Sequence, residues 1–175
     1  SWTLVAFRNE LSELIDFNPI SYQTYNIAEA LTQGLEAGLE TRPAKGLRLF
    51  GAATWLDSQI LSSDYFLGTG LTGDKLLRRP TLTLSVGAEI MPNDDWTFGV
   101  SAAHLRGRED FDWNAFARTE LPDATFVRLW IRRVLSDRTE ISLRIENIFG
   151  EDAPPAAFGF PAQPRSAYLS LTRRF

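Results

Sequence analysis

Three carboxylates sit close together in "REDFDWN" (108–114), namely Glu109, Asp110 and Asp112. All are hard oxygen donors that a cation such as Ca²⁺ would accept, but the regular donor spacing of a complete calcium loop is absent. A solvated acidic loop is the simpler reading. "GTGLTGDK" (68–75) brings glycines and a lysine together without the G-x-x-x-x-G-K-[ST] spacing that cradles a phosphate, so it reads as a flexible loop. His104 is the sole histidine; as the base of an acyl transfer it would need a nucleophile and an acid, and no such set accompanies it in the sequence. With no cysteine and one histidine, a thiolate site or a histidine-rich metal site is excluded. No catalytic residue, metal or cofactor is predicted. The remaining candidates are aromatic: Tyr65 and Phe66, then Phe111, Trp113 and Phe116, then Phe158 and Phe160. They fit the rim of a ligand-binding mouth, or loops that merely pack on one another.

These residues lie between segments whose periodicity is 2. In "TLTLSVGAEI" (81–90), Leu82, Leu84, Val86, Ala88 and Ile90 share one face. Trp96, Phe98, Val100 and Ala102 do so in the next segment, and Ile141, Leu143 and Ile145 in "TEISLRIEN". Val127, Leu129 and Ile131 continue the pattern, although Phe126 and Trp130 put aromatics on the other face. Eight candidate strands follow, near 2–16, 23–42, 46–60, 78–91, 95–107, 122–135, 138–149 and 165–175. "RPAKG" (42–46), "MPNDD" (91–95) and "SDR" (136–138) read as tight turns, while the linkers around 61–77, 108–121 and 150–164 are long. Pairing Leu135 with Thr139 sets Ile131 against Leu143, Trp130 against Arg144 and Arg128 against Glu146; pairing Thr41 with Leu47 sets Glu40 against Arg48. Register is fixed by such matching, because a one-residue slip turns every side chain to the wrong face.

The 175 residues suffice for one domain with a core. A net charge of -4 and a pI near 5.1 argue against a nucleic-acid partner. No apolar run is long enough for a membrane-spanning helix. The chain begins "SWTLVAF", without an initiator Met or a charged-then-apolar leader, as expected of a processed protein or a piece of a longer one. Short turns at one end and long loops at the other describe an up-and-down antiparallel sheet of the outer-membrane barrel type. The non-apolar face carries Glu36, Glu40, Arg48, Glu89, Arg128, Arg132, Glu140, Arg144 and Glu146, more charge than a packed core tolerates. Trp96 and Phe175 fall on the apolar face at the short-turn end, where an interfacial aromatic girdle belongs, and Arg133 and Arg173 fall beside them. There a long arginine can lie along the apolar belt and reach headgroups. The terminal strand "AYLSLTRRF" (167–175) alternates to its last residue for the same reason.

"LRIENIFGEDAPPAAFGFPAQPRSAYLSLTRRF" (143–175) resembles the C-terminal end of TonB-dependent outer-membrane receptors, through Asn147, Ile148, Phe149, Gly159, Phe160, Pro161, Arg165 and Phe175. "WTLVAFRNELSELIDF" (2–17), through Arg8, Asn9, Leu14 and Ile15, resembles a further segment of the family, nearest its vitamin B12 branch. So does "IAEALTQGLEAGLE" (27–40), through Gly34, Leu35 and Glu36. Gly150 stands where the family has Asp, Gln163-Pro164 where Pro-Gly is common, and Arg173 at a place often aromatic.

The resemblance implies an integral outer-membrane barrel of about 22 strands with a plugged lumen, of which residues 1–175 would be the C-terminal part. About 14 strands, the plug and its TonB box would lie outside this chain, which alone would be no energised transporter. It further implies uptake of a nutrient chelate, a ferric siderophore or cobalamin, with outer-membrane lipid and the TonB complex (through the plug) as partners. Two alternatives stand beside it: an autonomous eight-stranded outer-membrane barrel, and a soluble β-barrel binding a small apolar ligand.

Overall fold

An extended backbone turns successive side chains to opposite faces. The alternating segments of this chain therefore form strands whose two sides differ in kind. The computed structural model describes residues 1–18, 23–62, 70–155, 157 and 159–175. Among them it has ten strands: β1 (Trp2–Asn18), β2 (Gln23–Ala44), β3 (Leu47–Ser62), β4 (Leu82–Ile90), β5 (Trp96–Arg106), β6 (Arg108–Asp112), β7 (Ala117–Leu121), β8 (Ala124–Ser136), β9 (Thr139–Glu146) and β10 (Ser166–Arg173). Eight form one antiparallel sheet in the order β1-β2-β3-β4-β5-β8-β9-β10, and β6 and β7 form a separate hairpin. The stretch 108–121, expected as a long loop, thus contains a hairpin of its own. Its short strands alternate too weakly to stand out in the sequence.

Rows of side chains run across the sheet. Ile90, Phe98, Ile131, Leu143 and Leu169 stand side by side on five successive strands. One residue along β4 and on the other face, Arg48, Glu89, Gly99, Trp130, Arg144 and Tyr168 form a row of charge and aromatic rings. The apolar side is left uncovered: Leu169 and Leu171 on β10 are 73% and 69% exposed. On β4, Val86 is 58% exposed, whereas the side chain of Glu89 is only 19% exposed. Such a sheet is inside out relative to a soluble one, so its apolar face is built to meet lipid. A soluble barrel would bury that face, and an autonomous eight-stranded barrel would pair β1 with β10; here those two strands lie at opposite edges of an open sheet.

Arginines of the charged side are paired locally. Arg48 donates from Nε and Nη2 to the two carboxylate oxygens of Glu40 at 2.9 and 3.0 Å, and from Nη1 to Glu89 at 2.9 Å. Arg128 and Arg144 both reach Glu146, at 2.7 and 2.9 Å, and Arg132 reaches Glu140 at 3.3 Å. Bidentate guanidinium–carboxylate pairs of this kind are strong enough to fix geometry as well as balance charge.

Two turns differ in detail from the sequence expectation. Thr41 lies opposite Leu49 rather than Leu47, and Ala44 pairs with Leu47 after an irregularity. Pro43 has no N–H to give the ladder, so the strand bulges there and the turn tightens onto Lys45 and Gly46, with Gly46 at φ 73°. Glu40 is consequently opposite Phe50 and meets Arg48 diagonally, not face to face. Around "SDR", the expected pairs Ile131–Leu143 and Trp130–Arg144 hold, but Ser136, not Leu135, is opposite Thr139. The irregularity between Val134 and Ser136 absorbs one residue, and leaves Leu135 outside the ladder.

The belt has visible edges. At the long-loop end, the apolar face of β2 and β3 gives way to Gln33 and Asp57, directly opposite each other and bonded at 3.1 Å. At the short-turn end, Trp96 and Phe98 stack at 5.5 Å between ring centres. Strands β1 to β3, at 17, 22 and 16 residues, exceed the roughly 10 needed to cross a bilayer and continue past the belt on the long-loop side.

Candidate functional site

The long-loop end is where chemistry-bearing side chains gather beyond the belt. The β6–β7 hairpin pairs Arg108 with Leu121 through to Asp112 with Ala117. Its tip turns because Asp112 Oδ1 accepts from the backbone N–H groups of Asn114 and Ala115, at 2.8 and 3.2 Å, and because Phe116 takes a left-handed φ of 54°. Phe111 is 1% exposed, its ring 4.4 Å from that of Trp113 and 5.6 Å from that of Phe116. Trp113 and Phe116 are 43% and 48% exposed, with 6.2 Å between their centres. The hairpin therefore presents two rings mounted on a third.

Salt bridges hold the hairpin to the loop before it. Arg78 donates to Asp110 Oδ1 at 2.8 Å, and its N–H to the Glu109 carbonyl at 2.7 Å. Arg118 binds Glu109 Oε2 through Nε and Nη2 at 3.2 and 2.9 Å, gives a further bond to the Lys75 carbonyl at 2.7 Å, and lies 3.5 Å from Asp74. Glu109, Asp110 and Asp112 are thus each engaged by protein donors. Among the described residues no group of three or more His, Cys, Asp or Glu side chains is arranged for a metal ion.

Arg108 connects the hairpin to the loop after it. It is 1% exposed and donates to the carbonyls of Pro154 and Pro122, the latter at 2.5 Å. Burial pushes its pKa below the usual guanidinium value, against the pull of Asp123 and Glu151. Asn147 anchors the base of that same loop. Held at φ 51° and buried, it donates from Nδ2 to the carbonyls of Glu151 and Gln163 at 2.7 and 2.8 Å, and accepts the Glu151 N–H at 2.8 Å. Asparagine is the non-glycine residue that tolerates this backbone and offers both donor and acceptor, which explains the motif position. Gly150 follows at φ 70°, a left-handed conformation that suits glycine. The Glu151 carboxylate then accepts the N–H groups of Ala153 at 3.0 Å and Thr125 at 3.1 Å.

Of the aromatic candidates, the structure brings Phe111, Trp113 and Phe116 together, with Phe111 buried as their support. Phe160 is on the β9–β10 loop and 67% exposed. Tyr65, Phe66 and Phe158 lie outside the described residues. Among the motif positions, Phe149 and Pro161 are exposed, Gly159 has φ 79°, Arg165 approaches Gly150, and Phe175 is exposed beyond β10. His104 shares the apolar face with Leu84, and its Nδ1 is 2.9 Å from Thr125 Oγ1. Sequence reasoning missed the three loop clamps Arg78, Arg108 and Arg118. Partners lie 32, 46 and 9 residues away, and several of them are backbone carbonyls, those of Pro154, Pro122 and Lys75.

An exposed apolar belt, an opposite face of arginine–carboxylate pairs, tight turns at one end and clamped loops at the other define a section of outer-membrane-type β-barrel wall. The chain belongs to the TonB-dependent receptor-like β-barrel family, whose model matches residues 1–148. It is similar to the vitamin B12 transporter BtuB of Vibrio cholerae, 26% identical over 99% of this chain and 27% of that protein. Among solved structures it resembles the siderophore receptor PiuA of Acinetobacter baumannii, with TM-score 0.76 at 18% identity over 98% of this chain and 26% of the other. It also resembles the ferric enterobactin receptor PfeA of Pseudomonas aeruginosa, with TM-score 0.74 at 19% identity over 99% and 29%. The chain therefore spans about a quarter of the length of these relatives.

Proposed function

We propose that this chain is the C-terminal part of the barrel of an outer-membrane receptor that takes up a nutrient chelate, either cobalamin or a ferric siderophore. The observation that carries the reading is the inside-out sheet of a TonB-dependent receptor family member, with Arg78, Arg108 and Arg118 tying described parts of its long loops together. The charged face lines the lumen around a plug supplied by the rest of the protein, and the TonB complex acts through that plug. The exposed rings of Trp113 and Phe116, with Phe160 and the aromatics Tyr65, Phe66 and Phe158, contribute to the ligand-catching surface. Binding and transport need no covalent step, so no residue is assigned a catalytic role.

The test is energised uptake of labelled cobalamin and labelled ferric siderophore in cells with and without the protein, with the TonB complex intact or removed. Loss of either uptake in both deletions supports the reading; unchanged uptake of both chelates overturns it. An antibody to 150–164 reports in parallel whether the mature outer-membrane protein is several times the 19.7 kDa of this chain.

A further inference from the structure

The arginines of the main sheet divide by what they face. On the charged side Arg48, Arg128, Arg132 and Arg144 each have a carboxylate within 3.3 Å. On the apolar side at the long-loop end, Arg8 pairs with Glu10 at 2.9 Å and Arg106 lies 3.8 Å from Asp123. At the short-turn end of the apolar side the pattern stops. Arg133 and Arg173 have aromatic partners instead: the Arg133 guanidinium lies 4.9 Å from the centre of the Trp96 ring, and that of Arg173 5.7 Å from the centre of the Phe175 ring. Among the described residues neither has a carboxylate within salt-bridge distance.

Register puts the two on one patch. Trp96, Arg133, Ile141 and Leu171 form a row across β5, β8, β9 and β10, and Arg173 is two residues further along β10 on the same face. Two strand spacings across and two residues along separate their backbones by about 12 Å, within the combined reach of two extended arginine side chains. The turn beside them carries Asp137 and Arg138 and so adds no net charge, and the backbone N–H of Arg174 bonds the Arg138 carbonyl at 2.8 Å.

A guanidinium stacked on a ring keeps its in-plane N–H donors free, and those donors match a phosphate bidentately. At the edge of a lipid-facing belt, the anion that meets such donors is a lipid headgroup. We propose that Arg133 and Arg173, walled by Trp96 and Phe175, form a binding site for the phosphate of an anionic phospholipid in the leaflet at the short-turn side. The site rests on the reading of the apolar face as membrane-facing.

The intact outer-membrane protein that carries this chain is purified in mixed micelles of phosphatidylglycerol and phosphatidylcholine, and retained lipid is counted by native mass spectrometry. The wild type is expected to retain phosphatidylglycerol preferentially, and the double variant R133Q/R173Q to lose that preference roughly tenfold. Arg173→Gln alone, on the edge strand, should lose part of it. Arg79→Gln removes the same charge from an exposed loop position at the other end and should lose none. Equal retention in the wild type and the double variant overturns the site, as does an equal loss in Arg79→Gln. Insertion into phospholipid vesicles is scored on the same samples. A wild type that fails to insert overturns the membrane reading together with the site, whereas one that inserts without the lipid preference overturns the site alone.

Discussion

Trp130 and Gly99 face each other across the β5–β8 ladder, and the indole lies where a side chain on Gly99 would stand: a Cβ built there would come within 1.9 Å of Trp130 Cε2. The same arrangement recurs with Phe50 against Gly87, and with Phe7 against Gly34. A ring covering a glycine on a neighbouring strand shields the backbone hydrogen bonds and pins the register. Gly99→Ala should therefore destabilise the barrel by about 1–3 kcal/mol through overpacking. In a Trp130→Ala background the same change should cost much less. Urea unfolding from vesicles, run as a double-mutant cycle, measures the coupling; additive effects would refute it.

Val100 and Leu143 are on the apolar face of inner strands, and both are exposed. Arginine at either position is expected to reduce insertion by about 2–4 kcal/mol if the residue sits at the bilayer midplane. A partition assay between vesicles and urea reads this directly, and insertion unchanged by both substitutions would contradict a lipid-facing belt.

The Phe111 ring is buried beneath the two exposed rings, so truncations should separate folding from binding. Phe111→Ala is expected to cost about 3–5 kcal/mol of local stability and to open the β6–β7 hairpin to protease. Trp113→Ala and Phe116→Ala should leave the hairpin protected and weaken chelate binding, measured by titration of the purified receptor.

Asn147 makes three hydrogen bonds from a left-handed backbone. Asn147→Ala loses all three and adds backbone strain, about 2–4 kcal/mol in total. Asn147→Gly relieves the strain but not the lost bonds and should be intermediate. Hydrogen exchange across 151–163 should rank the three proteins in that order.

Glu151 is held below the usual carboxylate range, first by the Ala153 N–H and then by the Thr125 N–H, with Asp152 and Arg108 assisting against desolvation. The folded loop therefore binds this proton less tightly than the unfolded chain does. Its contribution is complete above the unfolded value of about 4.3 and is lost as pH falls through the lower folded value. Protection of the Thr125 and Ala153 amides, corrected for intrinsic exchange, should fall in that acidic window in the wild type. Glu151→Gln should show low protection with no such fall.

The strands, their faces and the short-turn/long-loop polarity were legible because a period of 2 is a local property: Leu82 to Ile90 and Ile141 to Ile145 reveal their common side without reference to any partner. The aromatic-and-arginine edge at Trp96, Arg133, Arg173 and Phe175 was legible for the same reason, since parity and distance from a turn are both counted along the chain. What tertiary structure alone decided was whatever depends on an unpaired backbone group or a distant carbonyl. Pro43, which cannot donate to the ladder, sits in a one-residue bulge between Thr41 and Ala44, and Thr41 meets Leu49 rather than Leu47. Arg108 was drawn into the interior by carbonyls 14 and 46 residues away. Phe111 was buried while Trp113 and Phe116 were left exposed, because a turn held by Asp112 chose which ring lies underneath. Local alternation fixes which side a residue faces, but only three-dimensional packing selects its partner, because partners are set by hydrogen-bond donors and acceptors that spacing along the chain does not reveal.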